Sequence, residues 1–414
     1  MLKVLTINSH DSFGGAARAA YNCYMGLRSI PLDSKMLVAT KARGDFDIIA
    51  PKKHIKKFIS LIAPHIDDLP KNYFSTSNEN LHSSAWFSSI KYNQISEIDP
   101  DIIHLHWVQG GALSIKEISK IKKPIVWTLH DMWPFSGAEH YSNNSERYKE
   151  GYKSFNRPKG ESGFDLNRWV WKRKKKYWNK IENLTIAAPS NWMAECARES
   201  VLFKDRRVEV VHVGLDHNLY RPIDKVAARK VLNIPQEKKI ILIGALNFFN
   251  DKRKGGMLLK ESLKILSKKK NNCNIELYVM GISKPKNEED LFFKTNYFGF
   301  GRDDLSLVLL YSASDVFVSP STQENFSAMV FESLSCGLPS VAFDIGGMPD
   351  MINHKGNGYL ARAFDTKDLA EGVDWVLNEG DSKKLSDNAR NFILTECTLE
   401  IQAKRYHEIY KSMI

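Results

Sequence analysis

The sequence predicts an α/β fold built from two doubly wound parallel sheets, each with its own core. Three observations carry that expectation. Short apolar runs alternate with helical stretches through both halves of the chain, the pattern of parallel strands covered by helices. The 414 residues divide into two domains of about 200 residues each. And one strand-turn-helix-strand unit, from Val316 to Phe343, can be read residue by residue.

In the first half, Leu2 to Ile7 reads as a strand, and Gly14-Gly15 then turn the chain into a helix running to Tyr21. Further strands are expected at Lys35 to Ala39, Ile102 to Leu105, Ile125 to Leu129, Thr185 to Ala188 and Val208 to Val211. A second series begins after Val213 to Pro222, with strands at Ile240 to Ile243, Glu276 to Met280, Val316 to Val318 and Ser340 to Phe343. Between the last two, Ser319 to Asn325 is a turn and Phe326 to Cys336 a helix stopped by Gly337. The last stretch, Thr398 to Met413, carries Leu399, Ala403, Tyr406, Ile409 and Tyr410 at helical spacing. Two Rossmann-like halves facing each other across a cleft follow, with domains at 1–213 and 214–390 and a terminal segment at 391–414.

Composition narrows the function classes. The net charge of +11 favours a polyanionic partner: a nucleotide, a membrane surface or a nucleic acid. Five scattered cysteines without any C-x-x-C pair imply neither a disulfide framework nor a zinc site, and read as packing thiols. Apolar runs fall short of a membrane span, and the first residues turn polar too soon for a signal peptide, so a cytoplasmic location is expected.

Glu324 and Glu332 are the most informative pair. On one helix a spacing of eight would put them roughly 80° and about 12 Å apart, too far to share a proton or a metal. With Glu324 on the turn and Glu332 inside the helix, they can instead accept hydrogen bonds from hydroxyls at two places on one elongated ligand, with backbone N–H groups between them for a phosphate. Lys252, Arg253 and Lys254, on one loop after the strand at Ile240, suit a diphosphate. Gly15 lets backbone approach a ligand closely, although from the residues alone a simple tight turn is the first reading. His130, ending the strand at Ile125 in the string H-D-M-W-P-F-S-G, reads as either a structural hydrogen-bonder or a site residue. Trp169 to Trp178 joins Lys172, Arg173, Lys174, Lys175 and Lys176 to Trp171 and three further aromatics; it reads as a surface for anionic headgroups or as a solvated helix face with its aromatics inward. Lys52-Lys53 and Lys56-Lys57 form a second basic cluster.

The run S-P-S-T-Q-E-N-F-S-A-M-V-F-E-S-L-S-C-G-L-P-S-V-A resembles the E-G-F-G-x-x-x-x-E-A-x-A-C-G-x-P-V-V-A motif of the retaining nucleotide-sugar glycosyltransferases of the GT-B fold, glycosyltransferase family 4 or group 1. Asn325 and Ser327 stand where the family usually has glycines. The H-D-M-W-P-F-S-G string is similar to a branch that assembles bacterial surface polysaccharides of the colanic acid and O-antigen type. The resemblance implies transfer of a sugar from a nucleotide-diphosphate donor to a lipid-linked glycan with retention of configuration, without metal or other cofactor, at the inner face of the cytoplasmic membrane. It implies that Glu324 holds sugar hydroxyls and Glu332 the ribose, and that Gly15, Arg253, Lys254 and the backbone around Asn325, Phe326 and Ser327 hold the diphosphate. His130 would support the reacting sugar. Ala245 stands where the family has an arginine, and Arg253 is expected to replace that charge. The terminal helix is expected to cross back to the first domain. Other readings are a phosphorylase or epimerase on the same fold, or an inactive protein that binds glycan or nucleic acid.

Overall fold

A computed structural model describes residues 1–51, 54–143, 145–244, 251–269, 274–285, 290–299 and 303–414. The chain divides into two compact units: Met1–Gly214 together with Leu399–Ile414, and Leu215–Thr398.

The first unit contains β1 (Lys3–His10), β2 (Asp33–Thr40), β3 (Ile48–Ile49), β4 (Phe74–Ser75), β5 (Ile102–Leu105), β6 (Ile125–Thr128), β7 (Ser162–Gly163), β8 (Leu184–Ala188) and β9 (Arg207–Val210). Seven of these form one sheet in the order β3-β2-β1-β5-β6-β8-β9, with every neighbour parallel. β4 and β7 pair antiparallel outside it. Burial explains why β5, β6 and β8 read as unbroken apolar runs: all their residues are buried, as in sheets covered on both faces. The helix Leu166–Trp178 starts at Asp165, whose carboxylate accepts the Arg168 N–H, and Asn191–Glu199 starts at Ser190, which accepts from Met193. The helix Leu399–Lys411 completes this unit, and its Ala403, Tyr406, Ile409 and Tyr410 share a cluster with Val4, Cys23, Leu27, Ile102 and Val126.

The second unit contains β10 (Lys239–Gly244), β11 (Ile275–Met280), β12 (Lys294–Phe298), β13 (Val316–Ser319), β14 (Ser340–Phe343) and β15 (Gly358–Ala361), all parallel in the order β12-β11-β10-β13-β14-β15. The α/β class read from the sequence is thus the observed one. β12 and β15 escaped that reading because they are the two edges: Lys294-Thr295-Asn296 is half-exposed and carries no apolar run, and β15 holds only four residues. The expected helix from Phe326 begins instead at Ala328 and runs to Ser335, leaving Phe326 and Ser327 in the turn.

Each sheet has one topological switch point, where strand order reverses: between β1 and β5 in the first unit, and between β10 and β13 in the second. Ligands of open parallel sheets bind beyond the carboxyl ends of the strands at such points. Among the described residues, no helix is long and apolar enough to cross a membrane.

Candidate functional site

In the second unit, the loops leaving β10 and β13 come together at the switch point. Asp251 accepts the backbone N–H of Arg253 and starts a single 3₁₀ turn, Lys252–Lys254. Gly255 ends that turn at φ +70°, and a Cβ there would collide with the Pro320 carbonyl, so only glycine lets the two loops pack this closely. The Thr322 N–H donates to the Arg253 carbonyl at 2.8 Å, closing the loops onto each other. Lys254 Nζ then lies 3.0 Å from Glu324 Oε2, with 23% and 12% of the two side chains exposed. Burial alone would raise the Glu324 pKa. Lys254 beside it, Arg253 behind, and the Asn325 N–H outweigh that and hold it below the usual carboxylate range.

Glu332 sits in the second turn of the helix Ala328–Ser335, 3% exposed, where it accepts the Tyr311 hydroxyl at 3.0 Å. Between the two glutamates Asn325 and Ser327 are buried, and Phe326 packs edge-on to Phe331 at 5.4 Å. Among the described residues, no side chain caps the helix start at Ser327. Its first N–H groups have no partner within the helix, and with the helix dipole they favour an anion there. Ala245, where an arginine was missing, lies outside the described residues, as do Lys52 and Lys53.

In the first unit, Gly14 enters the helix Gly15–Arg28 at φ +86°, again with no side-chain cap and no acidic residue in the first turn. Open space surrounds both glycines where a Cβ would stand. His130 follows β6, and its Nε2 lies 2.9 Å from Nδ1 of His106, which follows β5. The next residue, Asp131, is a buried hub. Its carboxylate accepts from His140 at 2.6 Å, from Trp107 Nε1 at 3.0 Å and from the Trp133 N–H at 3.0 Å. Burial would raise its pKa, but His140 and these N–H groups hold it lowered.

His106 leads inward to a buried polar chain that sequence reasoning missed. Its ring lies 4.3 Å from that of His104. His104 in turn contacts Thr128 Oγ1 through Nε2 at 2.7 Å and the Tyr410 hydroxyl through Nδ1 at 2.7 Å, and Thr128 meets Tyr406 at 2.6 Å. Burial holds all three histidines neutral: His104 is lowered to about 3, His130 to about 4, and His106 well below its usual value. The signal was present in H-L-H, since strand period two puts His104 and His106 on one side. Among the described residues, Cys23, His104 and His106 are the group whose ligand atoms gather within 4.8 Å. Both His104 nitrogens are already hydrogen-bonded, so an ion would have to displace a hydroxyl.

The basic aromatic helix requires a correction. Lys172, Lys175 and Lys176 are exposed, but Trp171 and Lys174 are buried and Arg173 is half-buried, so the six do not form one surface for headgroups. Lys174 Nζ donates to the carbonyls of Trp133, Ser136 and Gly137 and lies 3.7 Å over the Trp133 ring. Trp178 Nε1 donates to the Pro134 carbonyl at 2.9 Å, and Arg173 donates to those of Ser84 and Ala85. The helix thus clamps the loop that carries His130. Burial pushes the Lys174 pKa well down.

Comparison with known proteins adds the following. The family model for Glycosyltransferase Family 4 matches residues 13–219, half of the chain, and that for glycosyl transferases group 1 matches 224–392. An uncharacterised glycosyltransferase of Methanocaldococcus jannaschii is 28% identical over 220 residues, 50% of this chain and 54% of its own length. The D-inositol 3-phosphate glycosyltransferase of Thermobispora bispora is 26% identical over 328 residues, 76% of this chain and 69% of its own. The chain spans about half the length of the first curated relatives it matches. Among solved structures, sucrose-phosphate synthase from Thermosynechococcus elongatus aligns over 100% of this chain and 99% of its own with a TM-score of 0.67 at 16% identity. An Anabaena protein solved with UDP and glucose aligns over all of both chains with a TM-score of 0.64 at 16% identity. At those identities the likeness speaks for a shared fold.

Proposed function

The chain belongs to the group 1, family 4 glycosyltransferases, and from that membership we propose that it moves a sugar from a nucleotide-diphosphate donor to a lipid-linked glycan, with retention of configuration, in surface polysaccharide synthesis. The observation that carries this reading is the Lys254–Glu324 pair at the switch point of the second sheet, beside an uncapped helix start.

Each half of the pair has a task in the proposed reaction. Lys254 and Arg253, with the N–H groups following Phe326 and Ser327, neutralise the diphosphate as its bond to the anomeric carbon breaks. The acceptor oxygen bonds to that carbon on the face the diphosphate leaves, and the acceptor proton passes to the departing phosphate oxygen. Glu324, held ionised, accepts hydrogen bonds from sugar hydroxyls, and Glu332 from the ribose. Gly14-Gly15 leave room for a phosphate or acceptor group near the first helix, and His130 supports the transferred sugar. With cations and a helix start taking the leaving charge, the scheme routes no step through a metal. Exposed Lys172, Lys175 and Lys176 are what would remain of a contact with the inner membrane face.

A melting-temperature screen against nucleotides and nucleotide-sugars tests the donor, because a ligand of the folded state raises its stability by mass action. Stabilisation by one nucleotide diphosphate and its sugar conjugates is expected. Glu324→Gln should retain nucleotide binding but lose about 3 kcal/mol of transition-state stabilisation, on the order of 100-fold in turnover. No stabilisation by any nucleotide, or full turnover in Glu324→Gln, would refute the assignment.

A further inference from the structure

The contact between His106 and His130 has only one favourable arrangement of protons. Both rings are neutral, so one proton lies between His106 Nδ1 and His130 Nε2, 2.9 Å apart. If His130 supplies it, the proton of His106 must sit on its own Nε2. That atom is fully buried and has no hydrogen-bond partner among the described residues. A buried N–H without an acceptor is costlier and rarer than an unused lone pair. If His106 supplies the proton instead, its Nε2 carries only a lone pair, and no donor is stranded.

We propose that His106 is a positioning residue that locks His130 as the Nδ1–H tautomer and takes up its Nε2, so that this nitrogen does not serve as a base. The inference deepens the reading of His130 as the residue that supports the transferred sugar, and rests on it for its consequence in catalysis. The lock itself stands on the first unit alone. His106 is held on two further sides: its backbone N–H donates to the Ile7 carbonyl at 3.0 Å, and the His104 ring lies against its imidazole, itself fixed by Thr128 and Tyr410. The imidazole cannot turn to exchange its two nitrogens without breaking this packing. His130 Nε2 is thereby committed as an acceptor. Proton abstraction from an acceptor hydroxyl would need a free lone pair, and the lock leaves none on Nε2.

Nitrogen-15 NMR of histidine-labelled, deuterated protein without ligand reads the tautomer directly, because protonated and bare ring nitrogens resonate far apart. The chain has 12 histidines, and loss of one spin system in His130→Gln assigns the relevant ring. Wild-type protein should show His130 with a protonated Nδ1 and a bare Nε2. The reverse pattern, or averaged shifts, overturns the proposal. His106→Leu should release the ring toward the Nε2–H form that free imidazole side chains prefer, and an unchanged His130 spectrum there also overturns it. His106→Asn places an amide N–H where Nδ1 stood and should keep the lock. In the transfer assay, His106→Leu should lower kcat about tenfold with KM little changed, and His106→Asn should restore most of it. Wild-type turnover in His130→Gln, with the expected tautomer seen in the wild-type spectrum, would refute the catalytic reading and leave the tautomer assignment standing.

Discussion

Glu324 and Lys254 lie 70 positions apart, yet each makes the other tolerable inside the protein. Removing Lys254 leaves a nearly buried carboxylate without its nearest cation. Breaking a fully buried pair costs about 3–5 kcal/mol; with Lys254 23% exposed, Lys254→Met should cost about 2 kcal/mol at pH 7, measured by urea unfolding. The sign of the pH effect follows from the lowered pKa. Stability from Glu324 is present above its unfolded value of 4.5 and lost as pH falls through the folded value, so wild type and variant should converge in acid. Lys174 teaches the opposite lesson about reading residues. It looked like one cation of a basic run, but the helical period sets it on the stripe of Val170, Trp171 and Trp178, all buried. A cation on an apolar stripe was the legible signal, and the charge run masked it. Lys174→Met should lose about 3 kcal/mol by stranding three carbonyls, against changes within about 0.5 kcal/mol for Lys172→Ser or Lys175→Ser; denaturant midpoints decide between them.

Among the elements, those with buried, uniformly apolar faces were readable and those at edges were not. β5 and β14 fall on the residues expected for them, whereas β12 needs β11 beside it to be a strand at all. The turn holding Glu324 was located from its motif, but the start of its helix was not, because Ser327 resembles a capping residue while its hydroxyl caps nothing. Contacts between loops were beyond the sequence altogether. Gly255 is the case in point, since the Pro320 carbonyl 65 residues later leaves no room for a Cβ there. Gly255→Ala should therefore destabilise the second unit by about 2–3 kcal/mol and abolish any nucleotide-induced rise in melting temperature. An alanine variant with normal stability and normal nucleotide response would show that the two loops can part without consequence.

At the scale of the whole molecule, ionisable groups are divided unevenly. The first unit buries His82, His104 and His106 and half-buries His130, all in neutral form, with His82 and His130 lowered to about 4 and His104 to about 3. An unfolded chain binds protons at these positions below pH 6.5, while the folded unit does not. Their stabilisation is present above that pH and is lost progressively as pH falls toward 4, by up to about 1.4 kcal/mol per pH unit for each histidine. Calorimetry between pH 7 and pH 5 should show the first unit's transition moving down while the second unit's holds nearly still. Equal shifts in both transitions would contradict the burial of these rings.

The helix Leu399–Lys411 gives this unevenness a direction in time. Tyr406 and Tyr410 reach partners 278 and 306 positions earlier, and the core around Val4 and Ile102 is incomplete without them. A ribosome delivers those side chains only after the strands of both sheets have been made. The second unit, continuous from Leu215 to Thr398, can close while the chain is still tethered, but the first must wait with its sheet assembled and one face open. A ribosome-stalled chain with residue 398 clear of the exit tunnel should resist protease in its second unit and be cut in its first. Of the two units, the one begun earlier is the one completed later.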